Sequence, residues 1–213
     1  MPTDRRRARF RGQIAGVGTT EGTRVVVGRW LDSPLGTFAD AMVERPDGHR
    51  LLLAPSPDVA RFVAATYDFD EIRVEPFAVS VEGGRWRVRG ASLELDLTVG
   101  RTTLLGGLLR LVPRRVAEAP WWCALTDVVA RVVLDGVRTR GDTGDRTEWY
   151  GATGNRAVTA ATGRWEGADL GELRPVSPPP RFGFSSTPER PSVTDVVTTV
   201  ELDAGVPLVG PAG

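Results

Sequence analysis

The chain has 213 residues, and its 27 basic and 27 acidic side chains leave no formal net charge at neutral pH, which gives no support to a nucleic-acid partner. All 27 basic residues are arginine, so Schiff-base chemistry on lysine and a P-loop lysine are excluded. One Cys and one His exclude an internal disulfide and argue against a metal site, and we expect no cofactor.

Length and the two ends of the chain indicate a single domain. We expect residues 1–213 to form one β-rich domain, with residues 1–7, a basic arm, and residues 204–213 as disordered tails. The first residues lack the apolar core of a signal peptide, and no run of about 20 apolar residues predicts a transmembrane helix. We therefore expect a cytoplasmic protein.

Short apolar runs separated by turn residues predict four strands in the first quarter of the chain. These strands span residues 8–17, 23–31, 37–45 and 50–54. In the third strand, Asp40 has the same parity as Phe38 and Met42. Asp40 therefore either lies on a solvent face with scattered apolar residues or places a carboxylate, with a raised pKa, in a pocket.

A short helix is predicted next, at about residues 57–66. Ser56 is a good N-cap residue, Pro57 suits the first helical position, and Asp58 complements the positive end of the helix dipole. One side of this helix carries Val59, Phe62, Val63 and Thr66. The helix should pack across the sheet through that side.

The segment from residue 71 to residue 98 predicts a three-stranded antiparallel meander, because polar and apolar residues alternate along it. The two glycines at 83–84 predict one tight turn, and residues 90–91 predict a second, of type II′. The second turn would place Arg87 opposite Glu94, which pairs the charges and the apolar residues together.

A two-helix insertion is predicted at about residues 102–135, where the apolar period changes from two to that of a helix. Residues 103–112 are nearly all apolar, and residues 120–135 begin with Trp121 and Trp122. We expect both helices to cover an open end of the sheet. An interfacial contact with a membrane is the alternative.

Strands resume in the last third of the chain, at residues 147–152, 156–165, 181–184 and 195–202. Hairpins dominate, and no strand–helix–strand alternation suggests a parallel sheet. The predicted fold is mainly β (α+β), with a curved antiparallel sheet that closes into a barrel or half-barrel and the two-helix insertion packed at one end. A two-sheet sandwich with a helical cap is the alternative.

The segment EWYGA provides the best candidate site, because Glu148 and Tyr150 share one strand face. An acid next to an aromatic residue can hold a polar group of an apolar ligand. A cross-strand pair between Glu148 and Arg156 is the structural alternative. Phe182 and Phe184 share parity and should line the same interior as Trp30. The candidate ligand-binding residues are therefore Trp30, Asp40, Glu148, Tyr150, Phe182 and Phe184.

Four segments resemble a family of high-GC actinobacterial proteins of unknown function: RFRGQIAGVGTTEGT, FADAMVERPDGHRLLLAPS, EWYGA and RFGFSSTPERPS. This resemblance spans most of the chain and implies a compact stand-alone protein without implying a chemistry. The β-rich layout is also similar to calycin-type barrels and to acetoacetate-decarboxylase-like β-cones. The latter use a catalytic lysine, which this chain lacks, so that resemblance implies shape alone.

Three functions remain open at this point. A binding barrel for a hydrophobic small molecule requires an enclosed apolar cavity on the order of a few hundred Å³. A lysine-independent enzyme, of the cyclase or isomerase type, would use Asp40 or Glu148 as general acid or base. A non-catalytic interaction protein, including a homodimer, would use the surface of Trp121 and Trp122.

Overall fold

The structure is a computed structural model that describes residues 6–113, 140–142, 146–183 and 187–209. Its strands are β1 (Arg6–Thr19), β2 (Arg24–Asp32), β3 (Phe38–Glu44), β4 (Arg50–Ala54), β5 (Glu71–Val74), β6 (Phe77–Glu82), β7 (Arg85–Gly90), β8 (Leu93–Thr102), β9 (Arg140–Asp142), β10 (Arg146–Trp165), β11 (Ala168–Asp169), β12 (Leu173–Arg174) and β13 (Ser192–Leu202). Its helices in these ranges are α1 (Pro57–Ala64) and α2 (Leu104–Leu111). The prediction of a mainly β fold is confirmed.

The strands form one large sheet in the order β5-β4-β3-β2-β1-β13-β10-β8-β7-β6. The short strands β9 and β11 pair with β10, and β12 pairs with β1. The predicted closure into a barrel is wrong, because the sheet is not closed. Its two end strands, β5 and β6, follow each other in the chain and are linked only by Glu75 and Pro76.

The prediction of a purely antiparallel sheet is also wrong, because β4 and β5 pair in parallel. The helix between them explains the difference, since parallel neighbours need a crossover connection and α1 supplies it. The predicted helix itself is confirmed and ends two residues earlier than expected, at Ala64. The Ser56 side chain accepts a hydrogen bond from the backbone N–H of Val59, as its N-cap position requires.

Strands β1 to β4 are buried on both faces, so the sheet separates two apolar cores. The first core joins odd-numbered residues of these strands, such as Val27 and Ala41, to Trp86 and Leu95 from the other half of the sheet. The sheet therefore folds over onto itself around this core. The second core lies on the opposite face, where Phe62 and its neighbours on α1 cover even-numbered strand residues.

The β6-β7-β8 meander exists, but its predicted register is wrong by two residues: Arg87 lies opposite Asp96, and Glu94 lies opposite Arg89. Two tertiary contacts explain the shift. Gly90 stays in the ladder against the ring of Phe77, where a Cβ atom would lie 2.6 Å from a ring carbon. Ser92 is held out of the ladder because its backbone N–H and hydroxyl both donate to the Glu75 carboxylate, at 2.9 and 2.7 Å.

An even shift keeps every side chain of the meander on its predicted face, because strand side chains alternate with a period of two. Trp86 and Val88 are accordingly buried, and the arginines that alternate with them, Arg85, Arg87 and Arg89, are exposed. The other predicted turn is confirmed, since Gly83 and Gly84 both have positive φ between paired Glu82 and Arg85.

In the last third of the chain, the two strands predicted at 147–152 and 156–165 form one strand, β10, with register shifts near Gly154 and Val158. Bulges of this kind let one long strand bend and change its neighbours. The strand predicted at 181–184 is absent from its described part, where Phe182 and Gly183 form a bend.

Parts of both predicted tails are described. Arg6 and Arg7 belong to β1 and pair with the end of β13. After β13, Val206, Leu208 and Val209 pack against the second core. The disorder of the tails stays a prediction.

The first predicted insertion helix is α2, and the second, at 120–135, lies outside the described residues. α2 packs against β10 and β8, but three of its five leucines, Leu104, Leu108 and Leu111, are exposed, Leu104 by 84% and Leu111 by 79%. No helix in the described part of the chain has the length and apolar character needed to span a membrane.

Candidate functional site

A cavity lies in the second core, between α1 and the sheet. Its volume is about 40 Å³, which corresponds to roughly three water molecules. Its apolar walls are formed by Phe10, Ile14, Val26, Met42, Phe62 and Val63. The strand residues among these are even-numbered, which is why they share one face of β1, β2 and β3.

The cavity differs in place and size from the expected one. We expected an opening on the order of a few hundred Å³ inside a closed sheet, with the 102–135 helices at its mouth. The inside of the folded sheet is instead occupied by the first core. The cavity lies on the other face of the sheet, and α1 covers it.

Asp40 places a carboxyl group in this cavity and is only 5% exposed. The Trp30 indole N–H donates to Asp40 Oδ1 at 2.9 Å. Burial raises the pKa of Asp40 to about 6, and the hydrogen bond from Trp30 opposes part of that rise. Gly28 lies opposite Asp40 in the sheet, and a Cβ atom there would come within 2.4 Å of Oδ1. The glycine therefore leaves room for the Trp30–Asp40 pair.

Glu148 forms a second polar cluster at the cavity. Its Oε1 accepts a hydrogen bond from the Thr66 hydroxyl at 2.8 Å, and its Oε2 accepts one from the Tyr150 hydroxyl at 2.7 Å. The Tyr150 and Tyr67 hydroxyl oxygens are also 2.7 Å apart, so they share a hydrogen bond. Burial, with the Glu148 carboxylate and Tyr67 alongside, raises the pKa of Tyr150 well above its usual value. Tyr150 therefore remains a neutral donor at physiological pH.

Thr198 contributes the remaining polar group of the lining. It lies in β13 between Phe10 of β1 and Tyr150 of β10. The residue is 3% exposed, and its hydroxyl has no hydrogen-bond partner among the described residues. Because an unmatched buried hydroxyl costs free energy, this atom marks a place where a bound molecule would gain a hydrogen bond.

Of the six predicted site residues, the structure brings four together around this cavity: Trp30, Asp40, Glu148 and Tyr150. Phe182 is buried in the same core but does not line the cavity, and Phe184 lies outside the described residues. The solvent-face alternative for Asp40 is wrong because the residue is buried. The alternative partner of Glu148, Arg156, lies near Asp195 instead, at 3.6 Å.

Sequence reasoning missed Thr198 and Tyr67 as members of the site. Thr198 carries a signal, because it has the parity of Val196 and Val200 in the last strand. Tyr67 follows the end of α1, and no periodic pattern extends to it. Within the described residues, no group of three or more His, Cys, Asp or Glu side chains has the arrangement of a metal site.

The Trp121 and Trp122 surface, on which the interaction hypothesis depends, lies outside the described residues. That hypothesis therefore stays a prediction.

Comparison with known proteins gives little beyond this geometry. No protein-family model matches the chain, and no curated protein matches it significantly. Among solved structures, acetoacetate decarboxylase from Legionella pneumophila is similar over 92% of this chain and 84% of that one, with 10% identity and a TM-score of 0.42. A second acetoacetate decarboxylase structure covers the same shares with 8% identity and a TM-score of 0.39. Similarity at this level carries no argument about function.

Proposed function

We propose that the chain binds a small, mainly apolar molecule in the cavity beneath α1, and that Asp40 holds the polar group of that molecule. The observation that carries this proposal is the buried Asp40 carboxyl in a cavity whose walls are mostly apolar. Burying a carboxyl group costs free energy, and an apolar side chain at the same position would avoid that cost. Apolar pockets with a few convergent polar groups are the usual form of a small-molecule site.

The size of the cavity limits the ligand. A volume of about 40 Å³ accommodates a molecule with only a few non-hydrogen atoms, unless α1 moves outward. This helix is short, with eight residues, and contacts the sheet through one apolar side. A larger hydrophobic ligand would therefore require α1 to move away from the sheet.

A second candidate function is an acid–base enzyme that works without lysine. Its support is the pKa of Asp40, raised to about 6, because a general acid or base works best when its pKa is near the operating pH. Glu148 and Tyr150 supply further polar groups in the same cavity. In this reading, Asp40 exchanges a proton with a bound substrate.

Native mass spectrometry of freshly purified protein tests the binding proposal. We expect a retained small molecule in wild-type protein and its loss in Val63→Phe, which places extra volume in the cavity from α1. Val74→Phe, at an exposed position of β5, is the matched control and should retain the molecule. Equal retention by all three proteins would place the molecule elsewhere and contradict the proposal.

The enzyme candidate is separated from simple binding by what happens to the retained molecule. If Asp40 transfers protons, wild-type protein incubated with the isolated molecule in excess converts it over time, whereas Asp40→Asn under the same conditions leaves it unchanged. Liquid chromatography with mass spectrometry of the released molecule measures this difference. An unchanged molecule in both proteins supports binding alone.

A further inference from the structure

The cavity beneath α1 combines acidic groups with aromatic walls. The ionisable side chains among its described lining residues are two carboxylic acids, Asp40 and Glu148, and two phenols; no arginine or histidine is among them. Five lining residues are aromatic: Phe10, Trp30, Phe62, Tyr67 and Tyr150. In a chain whose acidic and basic residues balance, this lining is selectively acidic and aromatic.

The aromatic rings are packed against one another around Phe10. Its ring stacks on Phe62, with centroids 4.4 Å apart, and meets Trp30 edge to face at 6.0 Å. Ring faces carry partial negative charge and attract a cation that lies over them. A buried carboxylate and a group of aromatic rings are therefore complementary to the same kind of ligand.

The Thr198 hydroxyl gives an independent reason to expect a guest with a polar group in this cavity. It is buried, lines the cavity, and has no partner among the described residues. A hydroxyl oxygen can accept from an N–H group. Asp40 can do the same with a carboxylate oxygen, and its charge makes that hydrogen bond stronger.

We propose that the ligand of this cavity is a small organic cation, a protonated aliphatic amine, whose ammonium group is held by Asp40 and whose carbon atoms lie against Phe10 and Phe62. This inference rests on the proposed binding function and specifies the charge of the ligand. The amine offsets the cost of burying the Asp40 carboxylate, because a buried charge is tolerated when it is paired and hydrogen-bonded.

Three probes of similar shape test the charge. Isobutylammonium is cationic at neutral pH, isobutanol is neutral, and isobutyrate is anionic. The chain has two methionines, Met1 and Met42, and Met42 lines the cavity. Protein labelled with ¹³C at the methionine methyl groups therefore gives a direct NMR reporter of occupancy, and ionic strength is held constant across the titrations.

We expect isobutylammonium to shift the Met42 methyl signal with an affinity about tenfold or more above that of isobutanol, and isobutyrate to bind most weakly. Asp40→Asn should lower the affinity for isobutylammonium about tenfold and leave that for isobutanol within about twofold. Asp32→Asn, an exposed acid at the end of β2, should change neither.

The possible results of these titrations distinguish a failure of the cationic ligand from a failure of the proposed binding function. Equal affinities for the three probes, or an ammonium affinity unchanged in Asp40→Asn, would overturn the cationic ligand and leave the binding function standing. No shift of the Met42 signal with any probe would overturn both. Thermal unfolding of each variant confirms that it is folded.

Discussion

Asp40 keeps its carboxyl group inside the protein because its strand leaves it no other face. Its neighbours of the same parity, Phe38 and Met42, both pack into the second core. Turning Asp40 to the other face of the sheet would also turn Phe38 and Met42 out of that core. The hydrogen bond from Trp30 satisfies one carboxylate oxygen. The cost of the buried charge remains as a pKa raised to about 6, and that cost can be measured.

We predict that Asp40→Asn raises the free energy of unfolding, relative to wild type, by about 2 kcal/mol more at pH 8 than at pH 4. The pKa of Asp40 is about 6 in the folded chain against an ordinary value of 3.8. Between these values the folded chain binds more protons than the unfolded chain, so this group makes wild-type stability fall as pH rises through that window. Asparagine keeps an acceptor for Trp30 and does not titrate.

Urea unfolding at both pH values measures the difference between variant and wild type, so titrations common to both proteins cancel. Asp32→Asn is the control because that side chain is exposed to water. A similar pH dependence in the two variants would show that burial of Asp40 is not its cause.

The hydroxyl of Tyr150 gives a second prediction at the scale of one residue. The chain contains two tyrosines, Tyr67 and Tyr150, so Tyr67→Phe leaves a single phenol. Burial raises the pKa of that phenol well above its ordinary value. In an alkaline titration followed by ultraviolet absorbance, the folded variant should show no ionisation near pH 10, whereas the same variant in denaturant should titrate there. Ionisation of the folded variant at its ordinary pKa would contradict the buried position of Tyr150.

At the scale of the element, α2 is attached to the sheet by its backbone. The Thr103 side chain caps the helix by accepting from the Gly106 N–H at 3.0 Å, and the Thr103 backbone N–H donates to the Asn155 carbonyl oxygen of β10 at 3.1 Å. Gly106 is the buried residue of the helix. The contact therefore depends on close approach of two backbones, which only a residue without a Cβ atom allows.

We predict opposite effects for two neighbouring glycines of α2. A Cβ atom at Gly106 would lie 2.1 Å from the Asn155 carbonyl oxygen, whereas one at Gly107 has nothing within 4 Å. Gly106→Ala should therefore reduce the free energy of unfolding by about 1–3 kcal/mol, as overpacking does. Gly107→Ala should increase it by about 0.5–1 kcal/mol through helix propensity.

Denaturant unfolding of the two variants measures both effects, and each variant is the matched control of the other. If both substitutions stabilise the protein, α2 is not held against β10 in this way. If both destabilise it, helix propensity does not govern the exposed position.

At the scale of the whole molecule, local sequence patterns predicted which face of a strand each side chain occupies better than they predicted which strands are neighbours in the sheet. Alternation placed Asp40 with Phe38 and Met42, and placed Glu148 with Tyr150, because a period of two is a property of each strand by itself. Capping residues located α1 for the same reason. The sequence did not indicate that α1 covers this cavity, since that depends on the parallel crossover from β4 to β5.

Pairing between distant strands has no local signal either. Strand β13 lies between β1 and β10 in the middle of the sheet, although the pattern of residues 195–202 is compatible with an edge or a central position. The Gly90 turn was predicted from local turn preference, and the contacts of Phe77 and Glu75 override that preference. Prediction failed where a tertiary contact outweighs a local one.

The central place of β13 leads to a prediction about connectivity. The pair Arg6 and Leu202 brings the start of β1 beside the end of β13, so the two ends of the described chain lie on neighbouring strands. A circular permutant that joins residue 213 to residue 1 should therefore fold, because residues 210–213 and 1–5 still span about 30 Å when extended, beyond the packed Val206, Leu208 and Val209. New ends between Gly83 and Gly84 open an exposed turn of the meander.

A second permutant, with the same joined ends but a cut between Thr198 and Thr199, divides a strand that pairs on both sides. We expect the first permutant to keep the far-ultraviolet circular dichroism of the wild type and the Met42 methyl signal of the closed cavity. The second should lose both, because the cut leaves each half of β13 with too few pairs to hold β1 and β10 together. Equal folding of the two permutants would show that β13 is not the strand that joins the two halves of the sheet.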